Sequence, residues 1–418
     1  MYKNIHYEQK ISEALNKFGF SELRPPQVEP IRSILDGSDT LVQLPTSGGK
    51  SAIFQIPAEI MKPRTTLVFS PLKALQNDQT IALRRKGIAA RLLNSDLSHV
   101  DFERVLMEVE NHEVTILSLA PEQLTNPQVR AVLDKADIAQ IVIDEAHILA
   151  HEQKSFRKAY KELGKFIAEL PHRPVVSAFT ATATKADRKT IVKSLGMIDP
   201  VKYIHRIRRD NLHIAVKVVE ARPKEKKRDA IRRGKHRFLK SYLDKWNGKG
   251  SVIIYRPTVK EVKATYRWLK ARGYNAGKYH GKMKKCKRTS AQAKFLNGEV
   301  PIMVATNAFG LGIDKPDVRM IIHVGLPLSI DGYVQEIGRA GRDGKKARCV
   351  LIYAPCDYAA NKALLSHSTK KKHRGEVLAR LNALNELVKS ERCIWKDIER
   401  YFGEKKHKKC GKCCRCRR

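Results

Sequence analysis

Short β-branched runs, each followed by a polar loop and then a helical pattern, recur along this chain in two series, and no other feature narrows the fold so far. The first series is TLVQLP at 40–45, TTLVFSP at 65–71, VTILSLAP at 114–121, IAQIVIDEAH at 138–147 and RPVVSAFTATA at 173–183. After residue 211 come LHIAVKVV, SVIIYRP at 251–257, PIMVATNAFG at 301–310, RMIIHVG at 319–325 and ARCVLIYAP at 347–355. Strand followed by crossover is the rhythm of a parallel sheet. At 418 residues the chain exceeds what one core usually supports, so two stacked α/β lobes are expected. In open parallel sheets ligands sit beyond the carboxyl ends of the strands, where this chain carries its polar motifs, and two such lobes facing each other would form a cleft.

Charge narrows the partner. Lys and Arg number 81 against 43 Asp and Glu, a net charge of +38, which predicts a polyanion. A membrane surface is the rival, but no apolar run approaches the roughly 18 residues of a spanning helix. The start, MYKNIHYEQK, lacks a signal-peptide core. Nucleic acid is therefore expected and a membrane is not, with the protein in the cytoplasm on the nucleoid or chromosome. Residues 222–240 hold ten Lys or Arg and two acids, either a nucleic-acid contact or a solvated helix face.

LPTSGGKS at 44–51 follows an apolar run and precedes the helical KSAIFQI, the context of a phosphate loop. Thr46, Ser47, Gly48 and Gly49 form its turn, and the two glycines let backbone N–H groups approach phosphates. Lys50 is placed to reach the β- and γ-phosphates of ATP, and the Ser51 hydroxyl to hold Mg²⁺. Leu44 stands where the general pattern has its first Gly. In IVIDEAH, Asp144 and Glu145 lie just past a buried strand, one suited to hold Mg²⁺ and the other to orient the attacking water. QEIGRAGRDG at 335–344 carries Gln335, Arg339, Arg342 and Asp343. The i, i+3 spacing of the arginines predicts one face of a helix. If that face meets the first lobe, it neutralises charge developing on the γ-phosphate.

The phosphate loop, DEAH, TAT at Thr180 to Thr182, and QEIGRAGRDG resemble motifs I, II, III and VI of superfamily 2 helicases, and the chain resembles the RecQ family among them. FGFSELRPPQ at 18–27 is similar to that family's adenine-reading motif 0. The resemblance implies that Phe20 stacks on the base, Arg24 supports it and Gln27 bonds its edge. SPLKALQNDQ at 70–79 and APEQL at 120–124 resemble motifs Ia and Ib, which touch the single-strand backbone. YHGKM at 279–283 and ATNAFGLGIDKPDVR at 305–319 resemble motifs IVa and V, with Asn307, Gly312 and Asp314 at matching positions.

The likeness covers about residues 10–416 and implies an α/β fold: two tandem RecA-like parallel-sheet lobes, a P-loop NTPase core, then a small helical zinc-binding subdomain. The expected boundaries are 1–205, 206–355 and 356–418. It further implies an ATP-dependent DNA helicase that travels 3′ to 5′ on single-stranded, forked or junction DNA in repair and recombination, acting as a monomer with ATP, Mg²⁺ and Zn²⁺. Tracking of phosphates does not read the sugar, so RNA stays open as a substrate.

All eight cysteines lie at or after Cys286, and five fall in the last 26 residues. Without a secretion signal, such a cluster reads as metal ligation. Cys393 is followed at 17 residues by Cys410, then at intervals of 3 by Cys413 and Cys416; Cys414 could replace either neighbour. The spacing is similar to the RecQ zinc subdomain, which implies Cys393, Cys410, Cys413 and Cys416 as a closed structural site. Two segments depart from the family. In ILAHEQKSFR, Phe156 and Arg157 keep their places, but Glu152 stands where a base-stacking Trp is expected. HRIRRDNL at 205–212 departs from the family's Asp-Arg-Pro-Asn pattern, though Arg209 and Asn211 match it. These departures raise two rivals: a DNA-stimulated translocase or annealing ATPase that unwinds weakly, and a non-hydrolysing zinc-dependent nucleic-acid-binding scaffold.

Overall fold

A computed structural model describes the chain except residues 1, 46–47, 72, 151–153, 222–225, 311–312, 370, 405–407 and 418, together with the side chains of 2–6, 73–75, 154–161, 368 and 372. The chain forms two compact units, Met1–Ile207 and Arg208–Arg418. In the first, seven strands make a sheet: β1 Thr40–Gln43, β2 Thr65–Phe69, β3 Ala90–Leu93, β4 Ile116–Leu119, β5 Ile138–Ile143, β6 Val175–Thr180 and β7 Val201–Ile204. Their order is β3-β4-β2-β5-β6-β1-β7, and every pairing is parallel.

Successive residues of the central strands point to opposite faces, and both faces are covered. Leu41, Leu67, Ile141 and Ala178 enter one apolar core, while their neighbours Val42, Val68, Val142 and Phe179 enter another. A strand buried on both sides has to be apolar throughout, which is why these runs stand out in the sequence. The register aligns Gln43 with Thr180 and Phe69 with Ile143. The segments that follow β1, β2, β5 and β6 therefore leave the sheet along one edge.

The second unit holds β8 Leu212–Val218, β9 Ser251–Tyr255, β10 Ala276–Tyr279, β11 Ile302–Ala305, β12 Val318–Val324 and β13 Ala347–Tyr353, in the order β10-β11-β9-β12-β13-β8, all parallel. Helices Lys227–Asp244 and Val259–Lys270 cover one face, where Leu239, Leu243, Val262 and Leu269 pack on Val252, Ile254, Ile322 and Val324. Helices Pro355–Ser368, Arg374–Lys389 and Ile394–Tyr401 and the cysteine tail complete this unit. No helix among the described residues is long and apolar enough to cross a membrane.

Candidate nucleotide site, arginine turn and cysteine cluster

Beyond β1 the chain turns into helix Lys50–Ile60, whose preceding residue, Gly49, has φ of 76°. A side chain there would be strained twice over, because a Cβ would also lie 2.3 Å from the Gln27 amide nitrogen. Gln27 is buried; its Nε2 donates to the Gly49 carbonyl at 2.9 Å and its Oε1 accepts the Arg24 N–H at 2.7 Å. The adenine-motif glutamine thus grips the backbone of the phosphate loop. Lys50 and Ser51 open the helix, where unsatisfied N–H groups and the helix dipole favour an anion. Gln79 Nε2 lies 3.5 Å from Ser51 Oγ. Phe20 is 37% exposed, with Lys86 Nζ 5.0 Å from its ring centre. Thr46 and Ser47 lie outside the described residues.

Beyond β5, Asp144 is fixed by its N–H donating to Phe69 O at 2.9 Å. Its Oδ1 accepts the Glu145 N–H at 2.9 Å. Glu145 itself is left-handed, φ 52°, at a cost on the order of 1–2 kcal/mol for a residue with a side chain. Burial, and then the Glu145 charge, push the Asp144 carboxyl up to about 6, while Lys50 opposes them. A bound divalent cation would reverse that shift. His147 Nδ1 stands 3.3 Å from Glu145 Oε2 and 3.2 Å from Thr180 Oγ1. Thr180 Oγ1 in turn donates to Thr182 O and accepts the Thr182 N–H, both at 3.1 Å. DEAH and TAT are therefore one connected structure at the ends of β5 and β6. His147 is the residue that links them, a contact that sequence reasoning did not assign. Motif Ia is tied to the end of β4, just ahead of motif Ib, through Gln76 Nε2 donating to Leu119 O at 2.8 Å.

The arginines of the second unit do not share a helical face, as their spacing predicts. The helix is Ile330–Ile337, and Arg339 and Arg342 follow it in a turn in which Gly341 has φ of 54°. A left-handed residue ends helical propagation, so i, i+3 spacing loses its meaning beyond Gly338. Arg339 is buried and donates from Nη1 to Gly310 O. Arg342 Nη1 donates to Asp314 Oδ1 at 2.7 Å. Both partners belong to the motif V segment, and Asp314 itself is 82% exposed. The Nε atoms of Arg339 and Arg342 are buried and meet no acceptor among the described residues. Gln335 is half-buried on the preceding helix. Asp343, on the same turn, pairs with Arg319; burial raises its carboxyl, but the Arg319 hydrogen bond and charge together with the Lys345 N–H and charge hold it below the usual carboxylate range. Gly312 lies outside the described residues, as do Glu152 and the side chains of Phe156 and Arg157.

At the tail, the sulfurs of Cys393, Cys410, Cys413 and Cys416 all lie within 4.8 Å of one another. Cys410 and Cys416 sulfurs are 3.8 Å apart, and Cys413 and Cys416 sulfurs 3.5 Å. Four thiolates at about 2.3 Å from a zinc ion stand about 3.8 Å apart, so the cage fits that ion. Hydrogen bonds from Cys410, Cys416 and the N–H groups of Ile394 and Arg415 lower the Cys413 thiol, while the same thiol contacts and burial raise Cys410 and Cys416. Cys414 stays out of the cage: its sulfur accepts the Val216 N–H at 3.4 Å on β8. Cys349 is buried, whereas Cys286 and Cys356 are exposed rather than packed in a core.

The phosphate-loop and carboxylate segments thus follow strands of the first unit's parallel sheet, the arginine turn belongs to the second unit, and helicase family models match both. The DEAD/DEAH box helicase model matches residues 24–191, and the helicase conserved C-terminal domain model matches residues 234–344. The fold is similar to that of Mss116p bound to ssRNA and AMP-PNP, with a TM-score of 0.68 and 19% identity over 94% of this chain and 88% of that one. It is also similar to the DUF1998 helicase MrfA bound to DNA and AMPPNP, with a TM-score of 0.69 and 18% identity over 93% of this chain and 56% of that one.

Sequence relatives are more specific. The ATP-dependent DNA helicase RecQ of Synechocystis is 37% identical over 384 residues, 89% of this chain and 78% of that protein. The RecQ of Bacillus subtilis is 35% identical over 400 residues, 96% of this chain. The chain belongs to the RecQ family. It spans 65% of the length of the Bacillus subtilis protein.

Proposed function

We propose that this chain is an ATP-dependent DNA helicase that couples ATP hydrolysis to 3′-to-5′ travel on single-stranded DNA and to unwinding of duplexes, forks or junctions in repair and recombination. The observation that carries this reading is the connection, within one sheet edge, of Glu145 through His147 to Thr180 and Thr182. It joins the group placed for water activation to a segment that nucleic acid can influence.

In this reading Phe20, Arg24 and Gln27 take the adenine. Backbone N–H groups of the loop at Thr46, Ser47, Gly48 and Gly49 take the phosphates, and Lys50 neutralises the β- and γ-oxygens. Ser51 and Asp144 would hold Mg²⁺, which supplies charge neutralisation along the transferring phosphoryl group. Glu145 orients water for attack on the γ-phosphorus and takes its proton as the bond to ADP oxygen breaks. Arg339 and Arg342 stabilise the charge gathered on the leaving phosphoryl group, with Gln335, Gly312 and Asp314 ordering the segments around them. Cys393, Cys410, Cys413 and Cys416 would hold one structural zinc, a closed set with no position left for water. The protein works as a monomer on the chromosome with DNA as its partner, and RNA stays open as a second one.

The test is ATPase activity with and without single-stranded DNA, beside strand displacement on a forked duplex with a 3′ tail. Strong stimulation and displacement from the 3′ side are expected. ATP hydrolysis indifferent to DNA would contradict the reading, and stimulation without displacement would favour the translocase alternative that Glu152 suggests. In that event Glu152→Trp should increase the stimulation.

A further inference from the structure

The segment from Arg208 to Val216 has no role in the nucleotide site as described, yet it is gripped from both sides. On one side it holds the arginine turn by its carbonyls. Arg209 Nη1 donates to Gly338 O at 2.8 Å, and its other terminal nitrogen donates to Gly341 O. Asn211 Nδ2 donates to Gly341 O at 2.8 Å and to Lys345 O at 2.9 Å. The Asn211 carbonyl accepts the Ala347 N–H at 3.0 Å, just ahead of the register that pairs Leu212 with Ala347 in β8 and β13. Three carbonyls flanking Arg339 and Arg342 are thereby tied to two side chains. The fit is close: a Cβ on Gly341 would lie 2.6 Å from Asn211 Nδ2 and 2.6 Å from Lys345 O.

On the other side stands the cysteine tail. Arg208 Nη2 donates to Cys410 O at 3.2 Å, and Lys412 Nζ donates to Asp210 O at 2.9 Å. β8 is the edge of its sheet, and a turn of the tail bonds to that edge. Cys414 N donates to Ile214 O at 3.0 Å, and Val216 N donates to Cys414 Sγ at 3.4 Å. Trp395 Nε1 reaches Leu212 O at 3.4 Å. Thus Cys414, the cysteine outside the metal cage, fastens the cage to the strand that leads into the arginine brace.

We propose that Arg209 and Asn211 are positioning residues that hold Arg339 and Arg342 in place for ATP hydrolysis, and that the cysteine cluster acts on the turn through them. A turn with glycine at 338, 341 and 344 has many conformations to lose, and an isolated arginine pair on it would be poorly aimed. Arginine suits the brace because its planar fork reaches two carbonyls at once, which an ammonium cannot do in the same geometry. The catalytic half of the proposal rests on the role given above to Arg339 and Arg342; the structural half stands on the contacts alone.

Two measurements decide it in the full-length protein. Arg209→Gln should speed amide exchange at Gly341 and Gly344, which donate to Val318 O and Gly341 O, and leave β9 and β11 protected. It should also lower kcat for DNA-stimulated ATP hydrolysis about tenfold, the scale of one or two hydrogen bonds, with KM for ATP within about twofold. Arg209→Lys should recover part of the loss, and Arg209→Gln should cost less when added to Arg339→Ala than it does in the parent, because only Arg342 is then left to position. Unchanged exchange at the turn would overturn the brace. An additive loss in the double variant would overturn the positioning role, and an Arg339→Ala protein with parental kcat would instead overturn the functional reading, leaving exchange to judge the brace. For the link to the tail, Lys412→Ala and Cys410→Ser should each loosen the same turn; a turn as protected as the parent's in Lys412→Ala would remove that link.

Discussion

The two units solve the same problem, aiming charged groups, by different means. In the first, each group is fixed by a buried parallel strand and then by side-chain contacts close at hand: Asp144 by β2, Gln27 by the loop it grips, His147 between Glu145 and Thr180. In the second, the arginines stand on a glycine-bearing turn past a helix end and depend on carbonyl contacts from residues about 130 positions away. Sheet register with contacts near the strand ends aims the first site. The second site needs an external brace, and it can therefore be loosened without unfolding the sheet.

The heaviest blow to the first arrangement falls at the opposite end of its sheet. Asp39, just ahead of β1, accepts from Arg173 Nη2 at 2.6 Å, Val176 N at 2.9 Å and Ile198 N at 2.7 Å, tying the starts of β1, β6 and β7 together. Asp39→Ala leaves the Val176 and Ile198 N–H groups without their acceptor and removes the pairing with the partly exposed Arg173, and should cost about 2–4 kcal/mol. The first unit should then melt well below the second in calorimetry, and ATP binding should be lost with it; a single unshifted transition would refute the view that sheet register sets this site.

A smaller effect is expected from His147→Ala, which cuts the contact between Glu145 and Thr180. Loss of one or two hydrogen bonds in a buried network should lower DNA-stimulated turnover about tenfold and leave melting nearly unchanged. Equal loss of DNA-free and DNA-stimulated rates would mean that the contact serves chemistry only.

The smallest prediction concerns the second unit. His236 stacks on Trp268 at 4.5 Å, and burial, then Arg256, Arg272 and Arg232, push its imidazole down to about 4. A histidine depressed below its ordinary value binds fewer protons folded than unfolded, so its contribution is complete above about 6.5 and is lost as pH falls toward about 4. His236→Phe keeps a stacked ring without a proton site and should flatten the fall of melting temperature across that window. An identical fall in both proteins would contradict the assignment.

What the sequence made legible follows the same division. The strands buried on both faces announced themselves as apolar runs. β3, β7 and β10 did not, and all three are four-residue strands at sheet edges, where one neighbour suffices and polar residues such as Lys202 and Lys278 are tolerated. The phosphate loop and DEAH were readable because local spacing places them at strand ends. The arginine pair was found, but its helix was not, since Gly341 takes the chain out of helical geometry. Arg209 and Asn211 could be noticed only as a family match, because their partners are distant in sequence. The four cage cysteines were legible only through the family resemblance, since spacing alone left Cys414 open, and the role of Cys414 depended on an edge strand that spacing does not show.

The most direct test is steady-state ATPase on single-stranded DNA for the parent, Lys50→Ala and Arg339→Ala, with nucleotide affinity measured alongside. Lys50→Ala should lose about 10²–10³-fold in kcat. Arg339→Ala should lose about 10³-fold while still binding ATP near the parental affinity. Parental turnover in either variant would contradict the proposal that Lys50 and Arg339 each serve ATP hydrolysis.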